Sequence, residues 1–222
     1  MKNNTNYVCL ELFSGSGKVS RSLNEIGLKT YSFDIRLRKG KCVPDFRVDI
    51  LKISAADIFK MIGNKKVFAI WVGLPCDVWS YASGGFHLDS NFNPKTEKAK
   101  KHLALFNKTI KLLNDIGPIY YYIENPRGLL RYYPKMIDFL VKSTGITKQL
   151  TLSSYGFCTT KPTNIFTNDL SIIFKELDAY GRGAKCNQVF NNITKHSRQS
   201  YPVEFALFVA NHIYIKYLDH KY

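Results

Sequence analysis

The feature that most restricts the fold of this chain is a regular exchange of short β-rich runs and helix-period segments through its first two-thirds. "YVCLELF" (7–13) is β-rich and ends at the glycine turn "SGSG", after which Val19, Leu23 and Ile26 share one helical face and Gly27 ends the helix. "KTYSFDI" reads as a second strand and "ISAADIFKMIG" as a short helix closed by Gly63. "KVFAIWV" (66–72) is apolar throughout, as expected for a parallel strand covered on both faces. Beyond a loop over about 74–96, "KAKKHLALFNKTIKLLNDIG" turns Leu103, Phe106, Ile110 and Leu113 to one side. "IYYYIEN" follows as a strand and "YPKMIDFLVKS" as a helix with Pro134 in its first turn. "TKQLTLSSYG" and "PTNIFTN" predict a late antiparallel hairpin, and "YPVEFALFVANHIYIKYL" predicts a last helix with Phe205, Val209 and Ile213 on a common stripe. Strand–helix–strand repetition predicts an α/β, Rossmann-like fold, with a mostly parallel central sheet and helices on both faces.

Composition narrows the function. The 222 residues suit one domain with at most a modest appendage, and 45% hydrophobic with 14% aromatic residues can fill a core, which excludes a disordered chain. Lys and Arg outnumber Asp and Glu by 32 to 17, a net charge of +15, so the expected partner is a polyanion, nucleic acid foremost. Cys9, Cys42, Cys76, Cys158 and Cys186 are scattered and form no C-x-x-C. That spacing suggests neither a disulfide framework nor a metal site, and fits a reducing compartment. With no secretory leader pattern and no apolar run near the ~18 residues of a membrane span, a soluble cytoplasmic protein without membrane contact is expected.

"ELFSGSGKVS" sets Gly15 and Gly17 between the first strand and the first helix, where a ligand meets a helix N-terminus. A Walker A loop fails, because Leu12 stands at its first glycine position and Val19 at its Ser/Thr position. A dinucleotide fingerprint matches in part, with Ser20 at the third position. Asp34, about 20 residues on at the end of the second strand, suits the ribose hydroxyls of any adenosine cofactor. Asp49 in "VDIL", just past a short third strand, suits an adenine amine. Acids at or close to the ends of the first three strands, around a Gly-x-Gly, look like an S-adenosylmethionine site rather than a dinucleotide one. In "GLPCDVWS" (73–80), Cys76 ends the buried strand as either a packing residue or a presented nucleophile.

"LFSGSGKVS", "GLPCDVWS", "YYIENPRGLL" and "YGFCTTKPTNIFTN" stand in the order and rough spacing of cytosine carbon-5 DNA methyltransferases, and the chain resembles the compact phage forms of that family. "RQSYPVEFALFVANHI" is similar to the family's last motif, a G-N-[AS]-V-P-like turn opening the final helix, so the likeness covers most of 7–215. It implies an S-adenosylmethionine-dependent methyltransferase fold and transfer to carbon 5 of a cytosine flipped from double-stranded DNA, through a covalent Cys76 adduct at carbon 6. By the resemblance Cys76, Glu124 and Lys161 are catalytic, with protonated Glu124 donating to ring nitrogen 3. The cofactor would meet Phe13, Ser14, Gly15, Gly17, Lys18, Val19, Asp34, Ile35, Asp49, Ile50, Gly73, Pro75 and Ser200. The substrate would meet Ser80, Asn125, Arg127 and Tyr155.

Departures from the family pattern bear on substrate. Leu74 replaces the first proline of Pro-Pro-Cys, Asp77 follows the cysteine, and Lys161 stands where Arg is usual, keeping charge but losing the bidentate fork. Residues 1–168 read as the catalytic and cofactor-binding domain, 169–198 as a small basic insert with Lys175, Arg182, Lys185, Lys195 and Arg198, and 199–222 as a helix packing back on the domain. An insert this small predicts weak sequence readout or a partner subunit that supplies it. The loop "YASGGFHLDSNFNPKT" is expected either to close over a flipped base or to be a plain surface loop. A zinc deaminase is excluded, since Trp79 replaces the second Cys of P-C-x-x-C and no H-x-E occurs. A thymidylate-synthase-like enzyme lacks the glycine turn, and a dinucleotide oxidoreductase leaves Cys76, Glu124 and the charge unused. The remaining alternative is a methyltransferase-like nucleic-acid-binding protein with little or no catalysis.

Overall fold

A computed structural model describes residues 6–36, 43–175 and 200–221. Its elements are β1 (Tyr7–Leu12), α1 (Lys18–Glu25), β2 (Thr30–Asp34), β3 (Phe46–Arg47), α2 (Ala55–Met61), β4 (Lys66–Gly73), α3 (Glu97–Ile116), β5 (Tyr120–Pro126), α4 (Pro134–Lys142), β6 (Ile146–Thr151), β7 (Pro162–Thr167) and α5 (Val203–Lys221). Local chemistry marks several ends. Ser54 and Asp57 form a reciprocal capping box on α2, Thr96 accepts the Ala99 N–H at the start of α3, and Gly117 closes α3 at φ 61°.

The seven strands lie in the order β3-β2-β1-β4-β5-β7-β6. The pairs from β3 to β5 are parallel, while β7 runs antiparallel to both β5 and β6. The two late strands therefore pair as the sequence predicts, but the second of them wedges beside β5 and leaves β6 at the edge. Strand order reverses between β1 and β4, so their carboxyl ends open the crevice where such sheets take ligands.

Each face of the sheet buries its own core. On one, Ile58 of α2, Leu103 and Phe106 of α3 and Met136 and Phe139 of α4 pack on Leu10, Ile70 and Ile123. On the other, Val19 and Leu23 of α1 and Phe205, Val209 and Ile213 of α5 pack on Cys9, Trp71 and Tyr122. Of the four inward positions expected on α3, Ile110 is only partly buried. The stretch after β4 is ordered by local bonds: Asp89 accepts from the Asn91 and Asn93 N–H groups, and Leu88 bridges Pro94. Most of the basic insert, with Arg182, Lys185, Lys195 and Arg198, lies outside the described residues. Lys175 stays exposed, with its ammonium bonded to Glu204 and the Ser154 carbonyl. Among the described residues no helix is long and apolar enough to cross a membrane.

Candidate active site

The glycine turn is backbone bent sharply at the carboxyl end of β1. Phe13, Gly15 and Gly17 have φ of 55°, 57° and 61°, a region that glycine enters freely and a phenylalanine only when its surroundings hold it there. Ser14 N–H donates to the Phe33 carbonyl at 3.1 Å and Gly17 N–H to the Ser14 carbonyl at 2.8 Å. Asp34 is tied to the same turn: Oδ2 accepts the Gly15 N–H and Oδ1 the Arg36 N–H, each at 2.8 Å. A carboxylate oxygen has two lone pairs, so these bonds leave Asp34 capacity for the ribose role expected of it. Asp49 likewise caps the turn after β3, its Oδ1 accepting the Leu51 N–H at 3.1 Å. Ile35 is exposed. Val19 and Ile50 lie in the cores, 0% and 3% exposed, so neither offers its side chain to a cofactor as expected; only their backbone is left for that purpose.

Cys76 is carried by a tight turn beyond β4. Its carbonyl accepts the N–H groups of both Trp79 and Ser80 at 3.0 Å. The Pro75 carbonyl lies 3.2 Å from His102 Nδ1, so that nitrogen carries a proton and α3 braces the turn. Asp77 is paired with Lys98 at 2.8 Å, which removes the repulsion a bare carboxylate would offer a phosphate. Ser80 Oγ accepts the Ala82 N–H, and the Leu129 N–H reaches the Trp79 carbonyl at 2.7 Å. The thiol of Cys76 is partly buried. Burial, then the charge of Glu124, push it up to about 11, with Lys161 acting in the opposite direction and Asp77 adding to the rise.

Glu124 lies on β5 directly opposite Gly73 and is 6% exposed. Tyr201 O–H donates to its Oε2 at 3.0 Å, while Oε1 has no partner among the described residues. Burial raises the carboxyl above its ordinary value, and Lys161 and the Tyr201 bond oppose that rise. A side chain at Gly73 would be crowded, since a Cβ there would come 3.1 Å from the Phe13 carbonyl and 3.2 Å from Tyr201 Oη. The glycine turn, the end of β4 and the Glu124 carboxyl thus meet at one point. Lys161, at φ 32°, holds its ammonium 5.4 Å from the Phe157 ring and 5.8 Å from the Tyr201 ring. The C-terminal segment closes the group: Ser200 Oγ lies 3.4 Å from Ser16 Oγ and Lys18 Nζ donates to the Tyr201 carbonyl at 2.5 Å.

Of the expected substrate residues, Asn125 braces the site, Nδ2 donating to the Leu74 carbonyl at 3.1 Å while the buried Oδ1 has no partner among the described residues. Arg127 sits in the turn after β5, its N–H on the Pro162 carbonyl at 2.8 Å. Tyr155 departs from expectation. It is 1% exposed, packs against Phe205 and Phe208, and its hydroxyl accepts the Lys175 N–H, so its ring belongs to the core. Two residues outside the expected set join the site. Tyr201 bonds Glu124, and Glu11, 1% exposed, accepts the Ser20 N–H at 2.8 Å, its Oε1 without a partner among the described residues. Burial pushes the Glu11 carboxyl up to about 7. Glu11 had a visible signal, a carboxylate inside an apolar strand; Tyr201 had none, since only the fold brings it to β5. A groove of about 610 Å³ between α3 and α4 opens at the other end of β5, beside Tyr121 and Asn168, away from these groups.

No protein-family model matches the chain, and no curated protein does. Solved structures do. A candidate DNA modification methyltransferase encoded within an E. coli prophage superposes with a TM-score of 0.54 at 15% identity, covering 82% of this chain and 52% of that one. A triple mutant of Spodoptera frugiperda DNMT2 gives 0.47 at 23% identity, covering 78% and 53%, and the Entamoeba histolytica methyltransferase EhMeth gives 0.49 at 17%, covering 79% and 56%. The chain spans about half the length of these structures. With its seven-stranded sheet, mostly parallel and closed by an antiparallel pair, the chain has the Rossmann-like methyltransferase fold.

Proposed function

We propose that this chain transfers a methyl group from S-adenosylmethionine to carbon 5 of a cytosine flipped out of double-stranded DNA, by way of a Cys76 adduct at carbon 6. The observation that carries the reading is the meeting of Cys76, Glu124 and Lys161 within one another's fields, joined to the glycine turn through Gly73. Neighbouring strand ends bring the cysteine and the carboxylate together beside the strand-order reversal, where sheets of this kind take ligands.

The residues fit the cofactor. Gly15 and Gly17 let a ligand approach the backbone, Asp34 and Asp49 provide acceptors for hydroxyl and amine groups, Gly73 keeps a side chain out, and Ser14, Lys18 and Ser200 border the turn. When bound, S-adenosylmethionine supplies an electrophilic methyl group. The chain's own residues make carbon 5 nucleophilic. Cys76 Sγ adds to carbon 6, the carbon 5–6 π electrons shift toward carbon 5, and ring nitrogen 3 gains density that protonated Glu124 meets by donating. Lys161 adds positive charge on that side. Loss of the carbon-5 proton and expulsion of the thiolate then restore the ring. The two groups help one another: neutral Glu124 no longer raises the Cys76 thiol, so the protonation that arms the carboxyl also eases the ionisation of the sulfur.

The net charge of +15 supports a polyanionic substrate, and the small insert supports weak sequence readout or a partner subunit. Mass spectrometry of nucleosides from cytosine-containing duplex DNA incubated with the protein and S-adenosylmethionine tests the reading. The expected product is 5-methylcytosine, lost in Cys76→Ala. Duplex binding without any transfer by the wild type would make the chain a binding module instead.

A further inference from the structure

We infer that Tyr201 is a positioning residue for the carboxyl of Glu124, its hydroxyl fixing Oε2 so that Oε1 remains free to serve the substrate. The inference rests on the role proposed above for Glu124. Three observations support it.

First, the hydroxyl is spent on the site. It donates to Glu124 Oε2 at 3.0 Å and accepts the Trp71 indole N–H at 3.3 Å, a chain in which each bond polarises the next. Packing alone would be satisfied by a phenylalanine, because the ring already lies edge-on to Trp71 at 5.8 Å and against Phe205 at 5.6 Å.

Second, the bond divides the carboxyl. Oε2 is occupied and Oε1 is buried without a partner among the described residues. A carboxyl rotating freely would present either oxygen; one pinned by a hydroxyl presents the other. An acid aimed at a single ring nitrogen needs that asymmetry.

Third, Tyr201 is anchored to the proposed cofactor turn. Lys18 Nζ donates to its carbonyl, and the adjoining Ser200 Oγ reaches Ser16. Its hydroxyl would lie 3.2 Å from a Cβ at Gly73, so it is bounded by that strand end as well. The residue holding the acid is thus held by the residues beside the glycine turn.

The ionisable groups around Glu124 set the sign of the test. Lys161 and the Tyr201 hydroxyl favour its carboxylate, Cys76 shares its field, and the charge of Glu11 bears on Tyr201. Removing the hydroxyl therefore raises the Glu124 pKa.

The test is Tyr201→Phe in the full chain, with two readouts. In steady-state methylation, kcat should fall about tenfold, the size of one lost hydrogen bond, with the KM for S-adenosylmethionine within about twofold. The alkaline limb of the kcat profile, where Glu124 loses its proton, should move to higher pH. A fall in kcat with that limb unmoved reduces Tyr201 to a packing residue and overturns the inference. The second readout needs no turnover. The infrared carbonyl band of protonated Glu124, assigned by its loss in Glu124→Gln, should shift to higher wavenumber in Tyr201→Phe and titrate at higher pH. An unchanged band and midpoint overturn the inference even if the wild type methylates DNA. A shifted band in a protein that methylates nothing upholds the contact and counts against the proposed reaction.

Discussion

Cys76 and Glu124 are not independent, and their coupling can be measured at single side chains. The thiol lies near 11 because burial and the Glu124 charge both oppose the thiolate. Alkylation of Cys76 by iodoacetamide, followed residue by residue with mass spectrometry, should therefore rise through a higher pH than for an ordinary cysteine. Glu124→Gln should lower that midpoint and Lys161→Met should raise it; midpoints that ignore both changes would uncouple the three groups. Glu11 makes a second local prediction. Its folded carboxyl sits at about 7 against an ordinary 4.5, so the native state holds this proton more tightly than the unfolded chain. The contribution is full below pH 4.5 and is lost as pH rises through about 7. Relative to Glu11→Gln, the wild type should lose about 3 kcal/mol across that window, read from urea unfolding of both proteins at each end. Glu11 could be noticed in the sequence as a charge among apolar neighbours, whereas nothing local forecast how fully the fold buries it.

The turns after β4 and β5 form one unit. Ser80 and Gly128 bridge these two segments, and the Leu129 N–H bonds the Trp79 carbonyl. A Cβ on Gly128 would fall 2.2 Å from that carbonyl oxygen, closer than any atom tolerates against backbone. Gly128→Ala should thus separate the turn that carries Cys76 from the strand that carries Glu124. The expected cost is about 2–3 kcal/mol in chemical denaturation, with a changed alkylation rate at Cys76 in protein that is still folded. Full stability in this variant would mean that the two turns move independently. The elements themselves were largely legible, because amphipathic and uniformly apolar runs carry their own period; Pro134 opens its helix where expected. Less legible was the place of β7, since its apolar residues suit an edge strand as well as the interior position it takes beside β5.

For the molecule as a whole, a charge of +15 predicts duplex affinity governed by counterion release. Binding should weaken by about 10³-fold between about 50 and 200 mM salt, measured by fluorescence anisotropy on a labelled duplex. A flat salt response would mean that the excess lysines do not face the nucleic acid. The order of glycine turn, cysteine, acid and lysine is written in the chain, because each needs a particular residue type at the end of a recognisable strand. So is the α/β class, which follows from periodicity alone. Which groups share a field is not written there. Gly73, Glu124, Trp71 and Tyr201 are separated by up to 130 residues along the chain, and meet because strand order reverses at β1 and β4 while α5 packs back over that point. The same packing drew Tyr155 into the core. Burial, which sets the proton affinities of Cys76, Glu124 and Glu11, is a property of that assembled surface and of no segment within it.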